Sequence, residues 1–161
     1  MTATSPSVRA SFAADHDRLD ELFVQFQKTK RSDYAKAKEF FKQFKFGLQR
    51  HIVWEESILF PLFEKKTGMY ETGPTEVMRR EHRRIGELLE AIHKKVQQQD
   101  PDSDFAERAL LEALAAHNQK EEMVLYPTFD RLTSEDERAE AFRAMEKVPE
   151  EAYKVCCGKK Q

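Results

Sequence analysis

The sequence contains an internal repeat, and this repeat constrains the fold more than any other feature. The segment HIVWEESILFPLFEKK, which begins at His51, aligns without a gap with HNQKEEMVLYPTFDRL, which begins at His117. The preceding segments also align, DHDRLDELF around His16 with EHRRIGELL around His82, so both pairs of matching histidines are 66 residues apart. Within each half the two histidines are 35 residues apart. Two similar halves predict two tandem units related by a pseudo-two-fold axis.

Each half has the hydrophobic spacing of a helical hairpin. Apolar residues recur at steps of three and four over about 11–29, 34–66, 75–99 and up to about 132, which predicts four amphipathic helices. The apolar stripes of the second and fourth helices are expected to continue through Ile58 and Leu62, and through Val124 and Thr128. Short connections between long helices predict antiparallel neighbours. The predicted fold class is therefore all-α: an up-down-up-down four-helix bundle made of two tandem helical hairpins.

Local signals predict where the helices begin and end. Thr75 has the position of an N-cap for the third helix, and Ser134 with Glu137 forms a capping box that begins a short fifth helix. Pro61 and Pro127 should each kink a helix and remove one backbone hydrogen bond. The expected organisation is a single domain over 1–161, with a core at about 10–132, a C-terminal helix at about 134–148 and a flexible tail at 149–161.

Composition argues against several classes of protein. With 27 basic and 29 acidic residues, the formal net charge is -2, which argues against nucleic acid or an anionic membrane as a partner. No stretch approaches the ~18 apolar residues of a membrane span, and the N-terminus lacks the pattern of a signal peptide. Cys156 and Cys157 are adjacent and cannot join distant elements, so we expect no disulfide framework and a reducing, cytoplasmic location.

Polar side chains interrupt the apolar stripes at one level of the predicted bundle. Residues i and i+4 project from the same face of a helix, so each half combines a lone histidine with a His-x-x-x-Glu pair. A single histidine on an apolar stripe is most often a satisfied core residue. Four imidazoles and two carboxylates buried together without a compensating ion would be costly. The candidate metal ligands are His16, His51, Glu55, His82, His117 and Glu121.

Three neighbouring polar residues are expected to lie outside this set. Glu56 and Glu122 follow the two glutamates by one step, about 100° around the helix, so they should be solvated or should contact ligands rather than the metal. His93 lies eleven residues after His82, about 16 Å further along the helix axis. We therefore expect His93 to have a structural or surface role.

The six side chains fit a pair of transition-metal ions. Imidazole suits iron, copper and zinc, and the two oxygens of one carboxylate can bridge two cations. In the simplest assignment His16 and His51 bind one metal, His82 and His117 bind the other, and both glutamates bridge the pair. A solvent-derived bridge would add one ligand to each metal and leave room for an exogenous molecule. Such an open position is typical of a reactive or ligand-binding site.

These residues resemble the hemerythrin-like, or HHE cation-binding, family over about 10–132. The resemblance rests on the six candidate ligands and on the pattern E-E-x-x-L-[FY]-P at 55–61 and 121–127. Ferritin-like di-iron proteins use Glu-x-x-His instead, so that class fits poorly. The resemblance implies two iron ions in a non-haem centre with a bridging oxo or hydroxo group. It also implies chemistry with dioxygen, nitric oxide or peroxide.

One position separates this sequence from the oxygen-carrying members of that family. Those proteins have a further histidine four residues after the histidine of the third helix, where this sequence has Gly86; the equivalent position in the first half is Asp20. The site therefore resembles the six-ligand type found in bacterial proteins that respond to nitric oxide or repair iron centres. Such repair proteins carry an additional cysteine-containing N-terminal domain, which we do not expect here.

The sequence leaves three functions open. The first is a module that binds or senses a small ligand such as dioxygen or nitric oxide. The second is a di-iron enzyme with peroxidase-like, nitric-oxide-handling or iron-centre repair activity, and the third is an interaction domain controlled by iron. No nucleic-acid or membrane partner is expected, and the sequence does not identify a protein partner.

Overall fold

Two helical hairpins form the bundle in the computed structural model, which describes residues 6–154. Within the first hairpin α1 packs against α2, and within the second α4 packs against α5. The elements are α1 (Val8–Thr29), α2 (Tyr34–Trp54), a π-helical turn (Glu55–Leu59), α3 (Phe60–Thr67), α4 (Gly73–Gln97), α5 (Asp104–Lys120), a second π-helical turn (Glu121–Leu125), α6 (Tyr126–Leu132) and α7 (Glu135–Glu146). The described residues contain no strand, and none of their helices is both long and apolar enough to cross a membrane. The predicted all-α, up-down-up-down bundle with a short fifth helix is confirmed.

The start of α4 differs from the prediction. Its N-cap is Thr72 rather than Thr75, and Pro74 lies in the first turn of the helix, where the missing N–H of proline needs no partner. Thr75 is instead buried inside the helix, and its hydroxyl donates a hydrogen bond to Glu64 Oε2 at 2.9 Å. The pre-organised backbone of Pro74 therefore begins the helix one turn earlier than the threonine signal indicated.

The predicted capping box at the start of α7, which is the short fifth helix of the prediction, is confirmed. The Ser134 hydroxyl accepts a hydrogen bond from the Glu137 amide at 3.1 Å, and the Glu137 carboxylate accepts one from the Ser134 amide at 2.9 Å. These two bonds satisfy amide groups that have no partner within the helix. They fix the beginning of α7 directly after α6.

A π-helical turn precedes each of the prolines Pro61 and Pro127. In each turn the amide of the residue before the proline donates to the carbonyl of the glutamate five residues earlier, Glu55 or Glu121. Proline lacks an N–H, and its ring crowds the carbonyl four residues before it. The wider turn accommodates this crowding, so the distortion expected at each proline takes the form of a π turn that begins at a candidate ligand.

Each π turn shifts the buried face of the following helix by one residue. Leu59 and Leu125 are buried, whereas Val124 is 58% exposed. The predicted stripe through Val124 is wrong because one additional residue in the π turn rotates the next helix by about 100°. Other predicted stripe positions are only half-buried, namely Ile58, Leu62 and Thr128.

Two apolar clusters fill the bundle on either side of the candidate ligands. One includes Phe23, Ile85 and Leu89, and the other includes Met78. His82 lies in the chain between Met78 of the second cluster and Ile85 of the first. On α1 the order along the chain is the same. On α2 and α5 it is reversed, because residues of the first cluster precede Glu55 and Glu121 and residues of the second cluster follow them. The polar residues therefore form one layer within an apolar interior.

The C-terminal segment was expected to be a flexible tail from residue 149, and this is wrong for its first part. Glu150–Lys154 forms a 3₁₀-helix. Tyr153 is buried, and its hydroxyl accepts a 2.7 Å hydrogen bond from the indole nitrogen of Trp54. An aromatic side chain with a polar tip can bury its ring while keeping a hydrogen bond, which holds this segment on the bundle. Cys156 and Cys157 lie outside the described residues.

Candidate metal centre

The six candidate ligands converge in the middle of the bundle. The histidines come from the four long helices, and the two glutamates are the first residues of the π turns. Glu55 Oε1 lies 3.2 Å from His82 Nε2 and 3.6 Å from His51 Nε2. Glu121 Oε1 lies 3.2 Å from both His16 Nε2 and His117 Nε2. All six side chains are buried, with no residue more than 4% exposed.

The donor atoms form two overlapping groups. His82 and His117 lie with both glutamates, and His16 and His51 lie with Glu121; within each group the donor atoms are all within 4.8 Å of one another. The imidazole rings lie in the same two pairs, with centroids 4.6 Å apart for the first-half pair and 4.8 Å apart for the second-half pair. Each carboxylate contacts one ring of each pair. The arrangement is compatible with the two-metal assignment, and the role of these residues as ligands stays a prediction.

Two acidic residues that were not predicted from the sequence each orient one histidine, one in each half. Asp15 Oδ2 lies 2.8 Å from His51 Nδ1, and Glu81 Oε1 lies 2.9 Å from His117 Nδ1. A carboxylate at Nδ1 favours the tautomer that carries its proton there, which leaves Nε2 free to face the centre. The signal was present in the repeat, because an acidic residue directly precedes the first histidine of each half.

The other two histidines are oriented across the halves. Glu122 Oε2 lies 2.9 Å from His16 Nδ1, and Glu56 Oε2 lies 3.0 Å from His82 Nδ1. Both glutamates were expected to lie outside the ligand set, either in solvent or against a ligand. They contact the outer nitrogens of the two lone histidines, so each helical hairpin fixes an imidazole of the other.

Tyr126 lies at the centre of the cluster and was not identified as a site residue from the sequence. Its Oη lies 2.8 Å from Glu55 Oε2 and 2.9 Å from Glu121 Oε1. It also lies 3.2 Å from His51 Nε2 and 3.4 Å from His16 Nε2. The sequence comparison matched it with Phe60 in the other half as a similar aromatic residue. The hydroxyl that distinguishes the two residues was the available signal.

The hydrogen bonds of the protein do not satisfy this polar layer. Within the described residues, Glu55 Oε1, His82 Nε2 and Glu121 Oε2 are buried and have no hydrogen-bond partner. Although Glu55 Oε1 and His82 Nε2 are close, their geometry does not make a hydrogen bond. Buried polar atoms without a partner are destabilising, by about 1–3 kcal/mol each. These atoms line a cavity of about 10 Å³ together with the other candidate ligands, so the residues fit a metal centre, in which cations would be the missing partners.

The electrostatics of the layer favour bound positive charge. Burial alone would lower the pKa of His16, but the hydrogen bonds and charges of Glu121 and Glu122 raise it to about 9. Burial would also lower the pKa of His82, but the nearby carboxylates of Glu55 and Glu56 raise it to about 10. Without a metal, His16 and His82 therefore hold protons that a bound cation would displace.

The carboxylate pair also resists being fully ionised without a cation. Burial and the neighbouring charge of Glu121 raise the pKa of Glu55 to about 7. Two carboxylates that share one hydroxyl cannot both receive its single proton, so at least one of them needs another positive partner.

Comparison with known proteins assigns the chain to a family. The profile of the Hemerythrin HHE cation binding domain matches residues 8–129. The chain belongs to this family. One relative is an iron-sulfur cluster repair protein YtfE of Enterobacter sp., which is 31% identical over 131 residues and 70% of this chain. Another is an uncharacterized hemerythrin-like protein of Schizosaccharomyces pombe, which is 31% identical over 125 residues and 76% of this chain. A YtfE protein of Salmonella paratyphi B is 29% identical over 131 residues and 70% of this chain.

The hemerythrin-like chain matches only part of each relative. It spans about 60% of the length of the curated proteins named above. No solved structure matches it. The resemblance inferred from the sequence is thus confirmed for the domain, and it does not extend to the full length of those relatives.

Two further residues of this hemerythrin-like domain, Gly86 and His93, lie on α4 with His82. Gly86 is buried in α4 one turn after His82, and its first-half counterpart Asp20 lines the cavity of the centre. His93 lies outside the centre, as expected: its ring stacks on Phe41 with centroids 6.2 Å apart. Because residue 86 is a glycine, it has no side chain that could supply the additional ligand of the oxygen carriers.

Proposed function

We propose that the protein holds a non-haem di-iron centre and binds or senses a small diatomic or anionic ligand there, such as dioxygen, nitric oxide or peroxide. His16 and His51 would bind one iron, and His82 and His117 the other. Glu55 and Glu121 would bridge the two ions together with an oxo or hydroxo group. When bound, the iron pair would supply redox chemistry and a position for the exogenous ligand.

The observation that carries this proposal is the set of unpartnered atoms in the polar layer. Two carboxylate oxygens and one imidazole nitrogen are buried beside a small cavity and make no hydrogen bond. The outer nitrogens of all four histidines, by contrast, contact carboxylates. A purely structural polar cluster would be expected to satisfy its inner atoms. An imidazole held at its outer nitrogen and free at its inner one is typical of a metal ligand.

A coordination position that the protein leaves free would allow a role in ligand binding. Gly86 provides no imidazole where the oxygen carriers have one, and glycine inside a helix costs ~1 kcal/mol relative to alanine. Two ferric ions would carry a larger positive charge than the negative charge of two carboxylates and an oxo bridge. The remaining positive charge in a buried site would attract a small anion.

A second candidate is an enzyme that handles nitric oxide or repairs iron centres. The observation in its favour is the similarity to proteins named for iron-sulfur cluster repair. This chain spans about 60% of their length, so the activity of the whole relative is a separate proposal. A cytoplasmic location and the lack of nucleic-acid and membrane partners stay predictions of the sequence.

Reactions of the reduced, iron-loaded protein distinguish the two candidates. The protein is loaded with ferrous iron without oxygen and mixed with dioxygen, nitric oxide or peroxide while its absorption spectrum is recorded. A binding or sensing module should give a saturable change that reverses when the gas is removed. Rapid oxidation followed by continued consumption of peroxide or nitric oxide would favour the enzyme. No response to any of the three ligands would contradict both.

The variant Gly86→His tests whether the open position receives the exogenous ligand. Histidine at this position would lie at i+4 from His82, on the same face of α4. It should add a nitrogen ligand visible by X-ray absorption and weaken azide binding to the oxidised protein. If nitrogen coordination rises while the azide affinity stays the same, exogenous ligands use another position.

A further inference from the structure

A second cavity, of about 520 Å³, lies on the outside of α2. Its volume is in the range of small-molecule sites. Its walls include Phe41 and Phe46 of α2, Val96 of α4 and Tyr153 of the C-terminal 3₁₀-helix. No residue lines both this cavity and that of the metal centre. The four side chains give it a mainly apolar surface on which a hydrocarbon chain or ring could pack.

The wall of this cavity contains a residue whose buried side-chain donor has no hydrogen-bond partner. Gln49 lines the cavity and is only 2% exposed. Within the described residues its side-chain nitrogen Nε2 makes no hydrogen bond. A buried amide donor is normally satisfied, and leaving one unpaired costs about 1–3 kcal/mol. A ligand oxygen placed next to Gln49 would satisfy this group.

The remainder of the cavity wall along α2 is basic. Lys38, Lys42 and Lys45 line the cavity, and their spacing of four and three residues puts them on one face of the helix. Gln49 continues the same face one turn further on. No ion pair joins these three lysines to a carboxylate in residues 6–154. One acidic residue, Glu39, also lines the cavity, so its charge is predominantly positive.

The row from Lys38 to Gln49 gives the cavity a direction. It covers about 16 Å of α2 at the usual rise of a helix, with positive charge along most of its length and a neutral donor at the far end. The complementary molecule is elongated and apolar, has an anionic group at one end and has an oxygen acceptor at the other.

We propose that this cavity binds an amphipathic carboxylate of the fatty-acid class. Its carboxylate lies beside Lys38 and Lys42, its hydrocarbon chain packs on Phe41 and Val96, and an oxygen at the other end accepts a hydrogen bond from Gln49 Nε2. Charged head groups and apolar bodies are recognised in this way without any metal. The site is therefore independent of the di-iron centre.

Calorimetric titration of the full chain tests this assignment with three probes below their micelle concentrations. These are dodecanoate, omega-hydroxydodecanoate and dodecyltrimethylammonium. We expect both carboxylates to bind at one site per chain, and the hydroxylated acid about threefold to tenfold more tightly, which is the gain of one hydrogen bond. The cationic probe has the same chain length and should not bind. Equal binding of all three would show nonspecific apolar adsorption and overturn the proposal.

Three variants separate the contributions of charge and hydrogen bonding. Lys42→Glu should lower the affinity for dodecanoate about tenfold, whereas Lys36→Glu, on an exposed part of α2 that does not line the cavity, should leave it unchanged. Gln49→Leu should abolish the preference for the hydroxylated acid and keep dodecanoate binding. Metal content should be the same in all variants, which distinguishes this site from the metal centre.

Two further results would overturn the assignment. One is the absence of binding of either carboxylate to the full chain, including the case in which binding appears only after removal of the residues that follow Lys154. Binding that appears only after this removal would mean that the chain's own end occupies the cavity. The other is unchanged affinity in Lys42→Glu.

Discussion

The Tyr126 hydroxyl joins the two buried carboxylates of the centre in one hydrogen-bonded network. Tyr126→Phe should leave the number of bound metals unchanged, because Phe60 occupies the equivalent position in the other half without a hydroxyl. In the metal-free protein it should lower the free energy of unfolding by about 1–3 kcal/mol, since Glu55 and Glu121 lose a buried donor. Urea unfolding of the metal-free variant measures this loss.

The matched control for this prediction is Tyr70→Phe. Tyr70 is 59% exposed, so loss of its hydroxyl should change stability by less than about 0.5 kcal/mol. Equal effects of the two substitutions would show that the Tyr126 hydroxyl does not hold the carboxylates. Loss of one metal in Tyr126→Phe would instead make the tyrosine a ligand.

The raised pKa of His16 makes the stability of the metal-free protein depend on pH. Because the folded pKa of about 9 exceeds the ordinary value of 6.5, the stabilisation by protonated His16 is complete below pH 6.5. It is lost as the pH rises through 9. The contribution of His16 to the free energy of unfolding should fall over this window by up to about 3 kcal/mol, at 1.36 kcal/mol per pKa unit. Chemical denaturation of the metal-free protein at several pH values measures the slope.

The variant His16→Gln gives the reference for that slope. It should make the pH dependence less steep and leave the part that comes from His82, whose pKa is also raised. His93→Gln, which lies outside the centre, should keep the profile of the unmodified chain. Identical slopes in all three proteins would rule out His16 as the source. Metal binding should release protons over the same window, because ligand imidazoles must be neutral.

At the scale of single residues, the repeat was sufficient to select the six candidate ligands. These six residues are polar and lie among apolar residues, so a comparison of the two halves identifies them. The hydroxyl of Tyr126 could not be selected in this way, because tyrosine and phenylalanine share the same apolar spacing. Its role depends on the distance between helices, which the pattern of one helix does not contain.

At the scale of the elements, a buried ion pair joins the end of α1 to the start of α5. Lys30 is 5% exposed and Glu107 is 1% exposed, and Lys30 Nζ lies 2.6 Å from Glu107 Oε2. Lys30→Met should lower the free energy of unfolding by about 3–5 kcal/mol, because it leaves a buried carboxylate without its cation. Thermal or urea unfolding measures the change, and metal content should stay the same.

Arg31 provides the control for this ion pair. It lies next to Lys30 but is exposed, and it pairs with Asp102 at 3.3 Å. Arg31→Met should cost only about 0–1 kcal/mol, as is usual for surface pairs. A loss of similar size in both variants would show that burial does not determine the strength of the Lys30 pair.

The helices themselves were predictable from apolar spacing, but the π turns were not. The spacing rule assumes about 3.6 residues per turn, and it holds up to Glu55 and Glu121. After each glutamate the chain adds a residue, so Leu59 and Leu125 replace the predicted positions in the core. The prolines indicated a distortion at these places, although the type of distortion depends on how the helix packs.

At the scale of the whole molecule, the fold brings two hairpins together around one polar layer between two apolar clusters. The two offsets of 66 residues predicted this arrangement, because they put the polar residues of both hairpins at equivalent positions along the helices. The docking of Glu150–Lys154 on α2 was not predictable from periodicity. It depends on a single aromatic residue, Tyr153, meeting Trp54.

The polar layer is proposed to hold two iron ions that share two glutamates. Elemental analysis of the protein after anaerobic loading with ferrous iron and removal of unbound metal tests it most directly. We predict two irons per chain in the unmodified protein and in His93→Ala. Glu55→Ala and Glu121→Ala should each lose both ions, since either change removes a ligand of the pair. One iron or none in the unmodified chain, or full loading of Glu55→Ala, would contradict the account.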